Sequence, residues 1–215
     1  MQEFVDCLRG LWTGESVNYQ GQFFLLAGAR LAFRPPQALV IYLAAMGEQM
    51  LRLCGRTADG VVLSAGLSPA YCRTSFDLVR TGAINAGRDP ASLRRAAFIL
   101  FAVSADGRTA VELVRAKLAF LLRNRALSAN IAETGLQVDQ ERIMDAISRR
   151  SFDEAASLVS DEAVEAFSVC GTPKACQDRL QAFLDAGVTE PVLMVQGAER
   201  ERDLALAFLR TQTPQ

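Results

Sequence analysis

The stretch from Leu39 to Ser64, LVIYLAAMGEQMLRLCGRTADGVVLS, constrains this chain more than any other. It reads as an apolar run from Leu39 to Ala45, a helix opening at Gly47 and closing at Gly55, and a second apolar run from Gly60 to Ser64. Continuous rather than alternating apolar runs mark strands covered on both faces, and strand, helix, strand at this spacing is a parallel βαβ unit. Ligands of parallel sheets sit beyond the carboxyl ends of the strands, so a pocket is expected where the first strand hands over to its helix. That handover is Ala44, Ala45, Met46 and Gly47, followed by Glu48 and Gln49 in the first helical turn. Backbone N–H groups at such a place lack intrahelical partners and lie at the positive end of the helix dipole, which suits a phosphate. The competing reading makes AAMG a corner in which small residues merely let the helix approach the strand.

The flanking sequence extends this βα order. Gln2 to Trp12 carries apolar residues at helical spacing, and Thr13-Gly14 ends the helix. Ser16 to Tyr19 and Gln22 to Leu25 flank Gln20-Gly21 as a small hairpin, and Gly28 to Pro36 is an irregular crossing. Ser68-Pro69 opens a helix to about Ala86, capped by Gly87. Ala97 to Val103 is a third apolar run. Ser104 or Asp106 then caps a helix through about Asn124 that is apolar on nearly every side and should be well buried. Shorter helices follow, with Ser151 and Glu154 at capping-box spacing. Thr172-Pro173 opens a helix closed by Gly187, Pro191 to Val195 is the fourth strand, and a last helix runs from Glu199 to about Arg210. No repeat or linker divides the sequence. One α/β domain is therefore expected, with helix, hairpin and crossing at 1–38, βα units at 39–124, a helical excursion at 125–170 and a last βα unit at 171–215.

Composition excludes several classes of function. The chain has no histidine, so a Ser-His-Asp or Cys-His nucleophile is out of reach, and a metal site would need carboxylates or cysteines alone. No metal site is assigned. The 23 basic residues are spread among 24 acidic ones, giving a net charge of −1, so no basic face for nucleic acid is indicated. Five cysteines (Cys7, Cys54, Cys72, Cys170, Cys176) form no CxxC pair and leave an odd one over, which points to a reducing, cytoplasmic setting. No apolar run reaches the ~18 residues of a membrane span, and the start carries acids where a signal peptide carries bases. Met50, Phe98, Phe101 and Met194 are assigned to the core, and the cysteines are read as small apolar packing residues.

The strings LWTGE, VNYQG, PP, IYLAAMG, LCG, ADGVVLS, SP, AGRDP, VSAD and GTP, in this order and spacing, resemble the luciferase-like monooxygenase superfamily. Within it the chain looks most like the deazaflavin (coenzyme F420)-dependent oxidoreductases akin to methylenetetrahydromethanopterin reductase. The resemblance runs from Glu3 to about Gln196 and implies a partial TIM (β/α)₈ barrel: the four apolar runs resemble strands five to eight, with a helical insertion before the last strand. A complete barrel takes about 250 residues. Four parallel strands left open would expose unpaired edges and apolar surface.

What the resemblance implies about chemistry follows from which part is present. In the family, the groups beside the coenzyme's reactive carbon, often a histidine or glutamate, come largely from the early strands, and none of them is recognised here. The stretch resembling the coenzyme phosphate site is Ala44, Ala45, Met46, Gly47, Glu48 and Gln49, with the backbone N–H groups of Met46 to Gln49 as donors. Glu48 should then turn its side chain away from the phosphate. Ser64, Ala65 and Gly66, at a strand's carboxyl end, are the candidate substrate residues. The sugar-phosphate dehydrogenases of the family carry a lysine after that strand, whereas Leu67 follows here, which argues against a sugar phosphate. Asp59-Gly60 is read as a turn rather than a catalytic acid, and Arg52 and Arg56 as a solvated face. The implied reaction is hydride transfer between the deazaflavin and a small organic substrate, with FMN as the alternative cofactor, and the chain alone should be inactive. The alternative is a non-catalytic half-barrel that self-associates as a homodimer.

Overall fold

The computed structural model describes residues 1–212. Along the chain run α1 (Gln2–Trp12), β1 (Val17–Gln20), β2 (Leu25–Ala29), β3 (Tyr42–Ala44), α2 (Glu48–Thr57), β4 (Gly60–Leu63), α3 (Pro69–Asn85), β5 (Arg94–Val103) and α4 (Gly107–Leu122). There follow α5 (Ser128–Thr134), α6 (Gln140–Ser148), α7 (Phe152–Ser157), α8 (Asp161–Phe167), β6 (Val169–Gly171), α9 (Pro173–Asp185), β7 (Glu190–Val195) and α10 (Glu199–Gln212). The fold is α/β with parallel strands, and the described residues pack as two units: Met1–Val62 with Asp77–Arg94, and Leu63–Phe76 with residues 95–212.

In the first unit β3 and β4 pair in parallel, Tyr42 opposite Gly60 and Ala44 opposite Val62. The strand β3 is shorter than its apolar run. The Ile41 N–H donates to the Asp59 carboxylate at 2.9 Å, and its carbonyl accepts from the Asp59 and Gly60 amides, so Leu39 and Val40 lie upstream of the ladder and are exposed. Helix α2 runs past Gly55, its expected end. Gly55 is instead a crossing glycine: a Cβ there would lie 2.0 Å from the Val79 carbonyl oxygen of α3, and one on Gly82 would lie 2.1 Å from the Arg52 carbonyl oxygen of α2. The helices therefore touch backbone to backbone. The end of α2 is closed by Arg88, whose guanidinium donates to the Gly55 carbonyl (2.6 Å) and the Ala58 carbonyl (2.7 Å), a cation at the negative end of the helix dipole.

Asp59 binds three segments of this unit. It accepts from the Arg9 guanidinium of α1 at 2.7 Å as well as from Ile41, with Arg88 4.0 Å away, and Arg9 also donates to the Thr57 carbonyl. Partial burial alone would raise its pKa, but the hydrogen bonds from Arg9 and Ile41 and the charges of Arg9 and Arg88 outweigh this and hold the carboxyl below its ordinary value. A depressed folded pKa means stability that is present above the unfolded value near 3.8 and lost as pH falls through the folded one. Asp59→Asn is thus expected to destabilise the protein by about 1 kcal/mol at pH 7. In urea melts the gap to the wild type should close as the pH is taken below the carboxylate range, and a gap independent of pH would refute the assignment.

The hairpin is offset from its expected position, with β2 at Leu25–Ala29 rather than Gln22 to Leu25. The Glu3 carboxylate accepts from the backbone amides of Gln22, Phe23 and Phe24, and Gly21 donates to the Phe24 carbonyl, so these residues form the turn. Phe23 and Leu25 point outward, 75% and 73% exposed.

In the second unit β5 pairs in parallel with both β6, through Phe101 opposite Val169, and β7, through Phe101 opposite Val195. Phe101 is fully buried and meets the Phe208 ring of α10 at 5.4 Å. The short strand β6 was not among the four expected, so the helical excursion precedes β6 and not the last strand. Of the other assigned core residues, Phe98 is exposed, while Met50 and Met194 are half-buried. Asp106, not Ser104, caps α4, accepting from the Arg108 amide and the Thr109 hydroxyl. The helix buries one stripe (Ala110, Val114, Leu118, Ala119, Leu122) and not every side; Phe120 is exposed beneath Lys117 and Arg123. Glu154 pairs with Arg149, and Ser151 makes no side-chain cap, so the expected capping box does not form.

Candidate functional site

The six candidate coenzyme residues lie together where β3 gives way to α2. Ala45 is buried and donates to the Val62 carbonyl at 3.3 Å; Ala44 is exposed and Met46 half-buried. Gly47 is the N-cap of α2 with φ −83 and ψ 149, a conformation open to any residue, and it supplies no side-chain cap. Nothing lies within 4 Å of where its Cβ would stand. The packing-corner reading fails at this residue, because neither close approach nor a left-handed backbone requires glycine. Its effect is to leave the helix mouth uncovered, with the first intrahelical bond running from the Leu51 amide to the Gly47 carbonyl. Glu48 turns along the helix to Arg52, its carboxylate 3.0 Å from the Arg52 Nε, and Gln49 is exposed. Arg52 is thus held by Glu48, and Arg56 is exposed.

The three candidate substrate residues follow β4 in the second unit. Ser64 is half-buried, Ala65 and Gly66 are buried, and Gly66 has φ +83, so this turn requires glycine. The loop is gripped by Asn130 of α5: its Oδ1 accepts from the Ser68 amide at 2.8 Å and its Nδ2 donates to the Gly66 carbonyl at 2.9 Å. Asn130 is fully buried. Sequence reasoning missed it because its partners lie 62 and 64 residues away, and a single asparagine in a short polar helix carries no period or motif.

Burial disfavours the thiolate form of the cysteines. Cys54, Cys72 and Cys176 are buried, which pushes Cys54 up to about 11 and Cys72 and Cys176 up to about 12. Burial also raises Cys170, against the hydrogen bond from Ser168. Two cavities lie away from the predicted rim. A groove of about 660 Å³ in the first unit is lined by Arg9, Trp12, Arg34 and Leu39, among others. A cavity of about 530 Å³ in the second is bordered by Arg115, Glu112, Asp161 and Arg108, two cations and two carboxylates paired among themselves. Among the described residues, no helix is long and apolar enough to cross a membrane.

Parallel βα units in which a helix opens at a strand's carboxyl end make this an α/β fold, and the sequence places it in a family. Residues 1–190 match the profile of the luciferase-like monooxygenase family, and the chain belongs to that family. It is 31% identical over 195 residues to the 5,10-methylenetetrahydromethanopterin reductase of Methanolobus tindarius, covering 89% of this chain and 58% of that protein. It is 28% identical over 215 residues to the F420-dependent glucose-6-phosphate dehydrogenase of Nocardia farcinica, covering 100% of this chain and 59% of that protein. The solved coenzyme F420-dependent tetrahydromethanopterin reductase of Methanopyrus kandleri superposes with a TM-score of 0.83 at 26% identity, over 96% of this chain and 61% of that one. The chain thus spans less than two thirds of the length of these relatives.

Proposed function

We propose that this chain is the carboxyl-terminal part of a deazaflavin-dependent oxidoreductase of the luciferase-like TIM-barrel type, its parallel strands drawn from the latter half of the barrel. The observation that carries the reading is Gly47, an N-cap glycine that neither packing nor backbone conformation requires, at the mouth of a helix whose only first-turn acid is turned aside onto Arg52. The donors for the coenzyme phosphate are the backbone amides of Gly47 to Gln49, with Ala44, Ala45 and Met46 setting the strand end beside them. Ser64, Ala65 and Gly66 contribute to the substrate wall. The bound coenzyme supplies hydride chemistry on a small organic substrate; this part of the protein holds its tail and does not turn over alone. Relatives whose names carry F420 favour the deazaflavin over FMN.

A second reading, a self-associating half-barrel without catalysis, is favoured by the exposed Phe23, Leu25, Phe33, Leu39 and Val40. One experiment separates the two. Coenzyme F420 is titrated into the chain by fluorescence while the mass in solution is measured. Saturable binding by the chain is expected, and a chain that ignores the coenzyme and exists only as a dimer would support the second reading instead.

A further inference from the structure

We infer that Asn130 is a positioning residue that sets the backbone of the Ser64–Ser68 loop, making the helical excursion part of the machinery that shapes the substrate wall. The inference rests on the reading of Ser64 to Gly66 as that wall. The geometry is that of one peptide group replacing another: a single amide side chain meets the Gly66 carbonyl with its donor and the Ser68 amide with its acceptor. Both partners belong to buried residues, and two such backbone groups left unpaired would disfavour the observed turn. Gly66 sits at φ +83, where its missing side chain faces Leu121 and Leu118 of α4, and Ser68 uses its hydroxyl to cap α3, accepting from the Tyr71 amide at 3.1 Å. Asn130 sits on α5, which also accepts, outside the loop, an exposed hydrogen bond from the Thr74 hydroxyl of α3 to Glu133 (2.8 Å).

A carboxylic acid can imitate this clamp only when protonated: its O–H would serve the Gly66 carbonyl and its C=O the Ser68 amide. Ionised, it offers no donor and sets a negative charge against a carbonyl, and burial raises the pH at which ionisation occurs. The test is amide hydrogen exchange, followed by mass spectrometry and corrected for intrinsic rate, on the full chain between pH 5 and 8. In Asn130→Ala, which removes both bonds without adding charge, residues 65–68 should exchange at least about ten-fold faster than wild type at every pH. In Asn130→Asp they should do so at pH 8 and return to within about two-fold of wild type at pH 5. Thr74→Val, which removes that exposed bond and leaves both Asn130 bonds in place, should leave residues 65–68 unchanged. Wild-type exchange in Asn130→Ala, an even rise across the whole second unit, or the same rise in Thr74→Val would each overturn the inference. If these variants behave as expected but the wild type fails to bind coenzyme F420, the coenzyme reading falls and the clamp stands.

Discussion

Replacing Gly47 by aspartate should lower the affinity for coenzyme F420 by more than about ten-fold while leaving the fold as stable as before, or a few tenths of a kcal/mol more so. The two effects have one origin. The backbone at Gly47 is already in the extended conformation that an N-cap adopts, and the space its side chain would enter is open. An aspartate there accepts from the amides of the first turn, the same groups that the coenzyme phosphate is proposed to use, and sets a negative charge within a few ångströms of that phosphate's own. At an effective dielectric near 20 that repulsion is on the order of 2 kcal/mol or more. Gly47→Asn occupies the same amides without the charge, and its affinity should fall between the two. Fluorescence titration and thermal melts on the three proteins decide the matter. An aspartate variant that binds coenzyme as the wild type does would remove the helix mouth from the site.

The largest effect on stability is expected at the crossing of α2 and α3. Gly82→Ala drives a methyl group into the Arg52 carbonyl at 2.1 Å, and Gly55→Ala drives one into the Val79 carbonyl at 2.0 Å. Backbone cannot rotate away as a side-chain tip can, so the helices must separate where they cross. Either change should destabilise by about 3 kcal/mol or more, lowering Tm by roughly 6–12 °C in a chain of this size. Gly107→Ala is the control: its Cβ would meet only ordinary van der Waals neighbours beginning at 3.5 Å, and its effect should stay within about 0.5 kcal/mol. If Gly82→Ala melts with the wild type, the two helices do not touch as described.

These two glycines also mark the border of what the amino-acid sequence disclosed. Periodicity and apolar runs located the βα units well, because burying a continuous Val, Leu and Ala run is a local property of the run. Helix caps such as Thr172-Pro173 and Ser68-Pro69 were legible for the same reason. Gly55 was misread as a helix end because a glycine says only that a side chain is unwelcome there, and what it would strike lies in another helix. Glu3 displaced the hairpin by accepting three amides some twenty residues away, which no turn preference could reveal. β6 is three residues long, too short to carry a pattern of its own. At the candidate site, the residues of the helix mouth can be named from sequence because strand, glycine and helix are contiguous, whereas Asn130 reaches its loop only through the folded chain.

The Arg88 fork bears on how tightly an anion can be held at the far end of the same helix. With its last carbonyls pinned and its middle pressed on Gly82, α2 has little freedom left to lose when its amino-terminal groups are engaged. A phosphate held there as proposed would meet a preorganised array, so its attraction to the amides would be expressed as affinity and not consumed in ordering the helix that presents them.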